Sequence, residues 1–205
     1  MNIQSMQYRD KRGLYFIGCI APREVIWPEI NESVFKELGK AYGEIKEVWP
    51  PTDIWQPPRS YIEEMGNNLS TVIIELFQDG SMDRIVEIKK IAMAIERIHS
   101  IDGKRTVNLN PGYLSEDMMC LATHKNSCKR VYLKDNVWIE YQFICAKGKI
   151  HTLPNTFAEY SHWDRVARFE ERLNKLQCLA DVRPETDSIA FKRNRKTLCE
   201  FVQYE

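Results

Sequence analysis

Hydrophobic and polar positions along this chain repeat with two periods, and the switches between them outline its elements. Residues 14–21, LYFIGCIA, are an almost unbroken apolar run bounded by Gly13 and Pro22, which predicts a strand covered on both faces. Val34, Leu38 and Ala41, flanked by Phe35 and Tyr42, recur at helical spacing. That helix starts after Pro28 or Asn31, and Gly43 suits its end. EIKEVW at 44–49 alternates apolar and charged side chains, as a strand with one wet face does. TVIIELF at 71–77 is a second strand, with a turn expected at Asp79-Gly80. From Asp83 to His99 the positions Ile85, Ile88, Ile91, Ala92, Ile95 and Ile98 describe the stripe of an amphipathic helix.

Asp102-Gly103 ends that helix and TVNLN returns as a strand, followed by an expected turn at Asn110-Pro111-Gly112-Tyr113. Residues 114–123 read as a short helix with Ser115 as N-cap and Asp117 in its first turn. VYL and WIEYQFIC pair as a hairpin across Lys134-Asp135-Asn136, and Lys147-Gly148-Lys149 turns into IHTL. After Pro154 a long helix carries Trp163, Val166, Phe169, Leu173 and Leu176 on one stripe. Four prolines between 50 and 58 forbid regular helix or central strand, so residues 50–69 read as a surface loop.

This order, strand–helix–strand–strand–helix–strand and then a hairpin, predicts an α+β fold. The expected architecture is a mixed, mostly antiparallel sheet with helices packed on one face, a ferredoxin-like split βαβ core with an added hairpin. Residues 1–180 form one domain in this reading. Residues 181–205, with Lys192, Arg193, Arg195 and Lys196, form a C-terminal extension.

Composition narrows the function classes. The 205 residues are 43% hydrophobic and 28% charged, ordinary for a soluble globular protein. Lys plus Arg and Asp plus Glu balance at 29 each, so no global electrostatic footprint for nucleic acid or a membrane surface exists. The six cysteines include no Cys-x-x-Cys pair. Cys19, Cys120, Cys145 and Cys178 sit among apolar neighbours, the pattern of buried free thiols in a reducing compartment. The N-terminus lacks a signal-peptide layout and no apolar run reaches membrane-span length, so the expected location is cytoplasmic.

VNLNPGYL, CLATHK and KRVYLKDNVWIEYQF, in that order, resemble the core motif of a bacterial family known as domain of unknown function 4416. SYIEEMGNNL matches an upstream family segment through Tyr61, Glu64, Met65, Gly66 and Leu69, and Thr156, Phe157 and Tyr160 echo a downstream aromatic turn. The resemblance spans residues 14 to about 175. Three positions depart from it: Asn110 stands where the family usually has Asp, Lys129 replaces His, and Asn155 replaces Trp. A metal-ligand or base role at 110 would be lost with that Asp. The family carries no established activity, so the resemblance implies a site location and a fold rather than a chemistry.

Candidate chemistry concentrates around the same segment. A purely structural reading has Asn110 capping backbone amides and Gly112 at positive φ. A functional reading places an anion on free amides and a helix N-terminus, with Lys125 and Arg130 as cations. No phosphate-loop or dinucleotide pattern is present. Strand alternation puts Trp138, Glu140 and Gln142 on one face, opposite Ile139, Tyr141 and Phe143, and a solvated face suits that Glu. Glu64 and Glu140 would form a carboxylate pair if they met. His99, His124, His151 and His162 have no zinc-ligand spacing. Cys120, in an apolar stretch, reads as a structural thiol and not as a nucleophile.

The function expected from these residues is binding of, or catalysis on, a small anionic molecule, phosphorylated or nucleotide-like, near the Asn-Pro-Gly-Tyr segment. Its candidate contacts are Tyr61, Glu64, Asn110, Tyr113, Thr123, Lys125, Arg130 and Glu140. No cofactor follows from the sequence. The alternative is a non-catalytic interaction or assembly module, homo-oligomeric or with a protein partner, that uses Trp49, Trp55 and the C-terminal tail.

Overall fold

The main sheet is built around β1 (Gly13–Pro22), buried almost throughout as its apolar run requires. A computed structural model describes residues 12–23, 32–52 and 55–180 of the chain. The elements that follow are α1 (Glu32–Tyr42), β2 (Ile45–Trp49), α2 (Arg59–Met65), β3 (Leu69–Gly80) and α3 (Ile85–Ile98). Then come β4 (Ser100–Ile101), β5 (Lys104–Arg105), β6 (Asn108–Leu114), β7 (Met118–Thr123), β8 (Val131–Lys134), β9 (Val137–Ala146) and β10 (Lys149–Thr152). Two helices end the described chain, α4 (Ala158–Ser161) and α5 (Trp163–Ala180). The expected C-terminal extension, 181–205, lies outside the described residues.

The main sheet has eight strands, with β10-β9-β7-β6-β1-β3-β2 in a row and β8 also on β9. Every pair is antiparallel. The segment β6-β1-β3-β2 is the strand order of a split βαβ sandwich, so the α+β class and ferredoxin-like core are present. The sheet grows outward from its β6 edge. Two-residue hairpins with both turn residues at positive φ join β8 to β9 (Asp135-Asn136), β9 to β10 (Lys147-Gly148) and, in a separate two-stranded sheet, β4 to β5 (Asp102-Gly103).

Alternation along the strands builds two cores. Tyr15, Ile17 and Cys19 of β1 and Val72, Ile74 and Leu76 of β3 pack with Leu38 of α1 and Ile88, Ile91 and Ile95 of α3. On the opposite face Phe16, Ile73, Leu121 and Phe143 pack with Phe169, Leu173 and Leu176 of α5. Expectation and structure thus agree for α1 and α3, which share one face, while α5 departs from it by covering the other. Phe169 is the hub of that second core, with Phe16, Trp49 and Phe143 edge-on at 5.2, 4.8 and 5.6 Å.

Several local expectations are corrected. Residues 114–123 do not form a helix: Met118–Thr123 are a strand buried on both faces, and Ser115 caps the β6–β7 turn by accepting from the amides of Asp117 and Met118. Asp79-Gly80 stay inside β3, paired with Leu14 and Gly13. A seven-residue helix, α2, starts directly after Pro58 in what read as loop. Trp49 is buried under α5 and is no surface anchor, whereas Trp163, expected on the buried stripe, is 75% exposed. Cys178 is exposed, while Cys19, Cys120 and Cys145 are buried free thiols as expected.

Candidate functional site

The Asn-Pro-Gly-Tyr segment is strand, not turn. Asn110, Pro111, Gly112 and Tyr113 pair in β6 with Gly18, Ile17, Phe16 and Tyr15 of β1. Gly112 is not among the described residues at positive φ; a Cβ there would lie 2.1 Å from the Phe16 ring, so close packing is what requires glycine. No helix N-terminus follows, so the amide-and-dipole anion site expected there does not form. Tyr113 turns to the α3 face, fully buried beside Tyr15, where its hydroxyl donates to Gly80 O at 2.9 Å. It is not a contact residue of any described cavity.

What the segment does instead is open the sheet. β6 and β7 pair only from Gly112–Leu114 to Met119–Leu121, and upstream of Gly112 they separate. The Leu109 amide donates to Glu96 Oε1 at 2.6 Å and its carbonyl accepts from Lys89 Nζ at 2.7 Å. Residues 109 and 111 point their backbone groups to the same edge of a strand, so the missing N–H of Pro111 falls on the β7 side, where the ladder stops. Two α3 side chains therefore satisfy the groups that β7 leaves unpaired.

The opening leads into a cavity of about 740 Å³. Asn108, Asn110, Thr123, Glu140 and Leu121 line it from the strands, while Lys89, Met93 and Glu96 of α3 reach it through the split. Trp55, Tyr61 and Phe157 supply aromatic wall. Of the residues singled out in the sequence, Tyr61, Asn110, Thr123, Lys125, Arg130 and Glu140 meet here. Glu64 stands just behind it. Its carboxylate grips Arg105 with Nε at 2.6 Å and Nη2 at 2.8 Å, and Arg105 is itself a lining residue that also donates to Asn108 Oδ1 at 2.6 Å.

Glu140 is buried and not on a wet face. A bulge opposite Met119 and Cys120 adds one residue to β9, so Leu121 faces Glu140 and Met119 faces Phe143. Glu140 and Phe143 thereby share a face that strict alternation would separate. Arg130 Nε lies 2.8 Å from Glu140, and Nη1 of the same arginine donates to Lys125 O, fixing the 124–130 loop. Gln142, the residue at the bulge, accepts from the Phe157 amide at 2.9 Å and from the Thr156 hydroxyl, which sets Phe157 at the cavity. Glu64 and Glu140 are each matched to their own arginine and only Glu140 lines the cavity, so the expected carboxylate pair is not assembled there. Asn110 lines the cavity, and Asn155 Nδ2 is 3.4 Å from Glu140.

The electrostatics leave a few groups available. Lys125 stacks its amine over the Tyr61 ring at 5.6 Å, with no carboxylate partner among the described residues. Burial holds the Lys89 amine below its ordinary pKa. Burial, and then the nearby Lys89 charge, also keep His124 low, against the opposing effect of Glu96 and of the Asn136 backbone. Glu159 is raised by burial. Cys120 is pushed up to about 12 by burial, which suits an inert thiol. Among the described residues no three His, Cys, Asp or Glu side chains are grouped to hold a metal, and no helix is long and apolar enough to cross a membrane.

Sequence reading missed Lys89, Glu96, Arg105, Asn108, His124 and Glu159. The signal for two of them was there: Lys89 and Glu96, seven residues apart, interrupt the buried stripe of α3. No curated protein and no solved structure matches the chain. Residues 13–176 match the family described as a domain of unknown function (DUF4416), and the chain, matched over most of its length, belongs to that family.

Proposed function

We propose that the protein binds, or acts as an enzyme on, a small anionic molecule of nucleotide-like size in the cavity at the β6–β7 split. The observation that carries this reading is convergence. Tyr61, Asn110, Thr123, Lys125, Arg130 and Glu140, drawn from α2, β6, β7, the following loop and β9, share one hollow. Its volume of about 740 Å³ lies within the range of small-molecule sites. Aromatic side chains for a flat or apolar moiety and fixed polar groups for orientation are the usual make-up of such a site. Rigid Arg130–Glu140 and Arg105–Glu64 pairs support pre-organisation. The same reading takes the setting as a bacterial cytoplasm, where buried free thiols such as Cys19, Cys120 and Cys145 persist unoxidised.

Thermal-shift screening against nucleotides, sugar phosphates and dicarboxylates tests it. A ligand present at 100 times its Kd stabilises the fold by about 2.7 kcal/mol. Ala158→Trp, at an exposed position on the cavity wall, should abolish the shift without disturbing the core. No stabilisation across the panel, or stabilisation that survives Ala158→Trp, rejects the cavity as the binding site.

A further inference from the structure

We propose that the β6–β7 split is the seat for the oxyanion of the ligand, carboxylate or phosphate, with Lys89 and Asn108 as its donors and Lys125 as the cation at its rim. This inference rests on the cavity being a ligand site and names which of its groups take the acid.

Four cations line the cavity: Lys89, Arg105, Lys125 and Arg130. Two are already committed. Arg105 is spent on the bidentate contact with Glu64 and on Asn108 Oδ1, with Glu96 Oε2 at 3.4 Å. Arg130 is spent on Glu140 and the Lys125 carbonyl. Lys89 has one hydrogen bond, to Leu109 O, and two donors of its ammonium left. Among the described residues the Lys125 ammonium has the Tyr61 ring alone. The uncommitted positive groups are thus these two lysines.

Asn108 supplies the second, independent observation. It is 3% exposed and lines the cavity, its Oδ1 is held by Arg105, and its Nδ2 has no hydrogen-bond partner among the described residues. The Arg105 contact fixes the amide so that Nδ2 is the end left over. Lys89 is 5% exposed, and Leu109, whose carbonyl it holds, adjoins Asn108. The orphan amide of Asn108 and the spare donors of Lys89, which reaches across from α3, therefore lie against the same stretch of β6. A buried donor without an acceptor is costly, and an oxyanion accepting from Asn108 Nδ2 and from the Lys89 ammonium would satisfy it. Three carboxylates line the cavity, Glu96, Glu140 and Glu159; both oxygens of Glu96 are engaged, by the Leu109 amide and Arg105, and Glu140 is matched to Arg130.

The test is an amide-resolved NMR titration of the full chain with inorganic phosphate and, separately, with succinate. The amides of Leu109 and Thr123 should shift and saturate with one or both salts, and not with chloride at matched ionic strength. Response to phosphate alone or to succinate alone identifies which acid the seat takes. Asn108→Asp keeps the acceptor for Arg105 while replacing the orphan donor by a second carboxylate oxygen. It should fold, and it should weaken oxyanion binding at least about tenfold, as should Lys89→Met. Saturable binding of a screened ligand that Ala158→Trp removes, but Asn108→Asp and Lys89→Met leave unchanged, overturns the seat and leaves the cavity reading standing. Absence of any saturable shift with either salt, in a protein that does bind a screened anionic ligand, also overturns it. Silence towards the salts and the whole panel removes both.

Discussion

Arg172 Nε lies 2.9 and 2.7 Å from the two carboxylate oxygens of Glu75, deep between α5 and β3. Both side chains are buried, and Lys46 reaches the same carboxylate at 2.6 Å. Arg172 continues to Glu47 at 2.6 Å and lies over the Trp49 ring at 5.9 Å, so one guanidinium pins α5 to β2 and β3 together. Removing Arg172 leaves the buried Glu75 carboxylate with Lys46 alone, so its charge is under-compensated. Arg172→Met should therefore lower stability by about 3 kcal/mol. Urea denaturation measures it, and the double variant Glu75→Leu/Arg172→Met should regain much of the loss. A single variant within experimental error of the parent contradicts the role.

Gly112 faces the ring of Phe16, with an added Cβ 2.1 Å from Cζ and 2.4 Å from Cε2. Phe16 cannot retreat freely, because Phe169 stands edge-on to it at 5.2 Å. Gly112→Ala should thus destabilise by about 1–3 kcal/mol through overpacking. Adding Phe16→Leu makes room, so the double variant should be less destabilised than the sum of the two singles. Strict additivity would locate the need for glycine elsewhere.

The same segment shows how far sequence carries and why it stops. β1, β3, α3 and the β8–β9 hairpin are legible because local periodicity and turn chemistry agree with burial. Met118–Thr123 misleads because a strand covered on both faces shows no alternation, and MMCLAT lacks β-branched residues until its last position. Pro111 looks like a turn former, yet a strand tolerates it where the ladder has already ended, and only the pairing of β6 with β1 and β7 reveals that. The bulge that turns Glu140 inward is likewise a relation between two strands. The motif stretches, Asn108 among them, mark where the cavity lies, whereas Lys89 and Arg105 enter it by tertiary placement.

Glu64 provides a pH signature of the wall behind the cavity. Hydrogen bonds from Arg105 hold its carboxyl below the ordinary value of 4.5. A carboxyl whose folded pKa is depressed stabilises the fold above its unfolded pKa, and that stability is lost as pH falls through the folded value. Glu64→Gln should consequently be less stable than the parent at neutral pH, and the difference should shrink once pH drops below 4.5. The carboxylate is part-exposed, so the neutral-pH gap stays modest. Denaturant midpoints from pH 7 to pH 3 follow it. A gap that persists undiminished in acid would mean that the side chain acts by packing and not by charge.

Glu159, on the opposite wall, has the reverse sign. Burial raises its carboxyl above 4.5, opposed by its own backbone amide and then by Arg165. A carboxyl whose folded pKa is raised gives full stability below its unfolded pKa, and loses it as pH rises through the folded value. The ionised side chain is then a liability at neutral pH, and Glu159→Gln should raise the melting temperature at pH 7 while leaving it unchanged at pH 4. The substitution keeps the size and hydrogen-bonding reach of the side chain, so any gain reports charge alone. If the cavity binds an anion, the same substitution also removes a negative wall and should tighten that binding, a second readout independent of stability. A variant that is no more stable at pH 7 than the parent would show that Glu159 already has its charge compensated in solution.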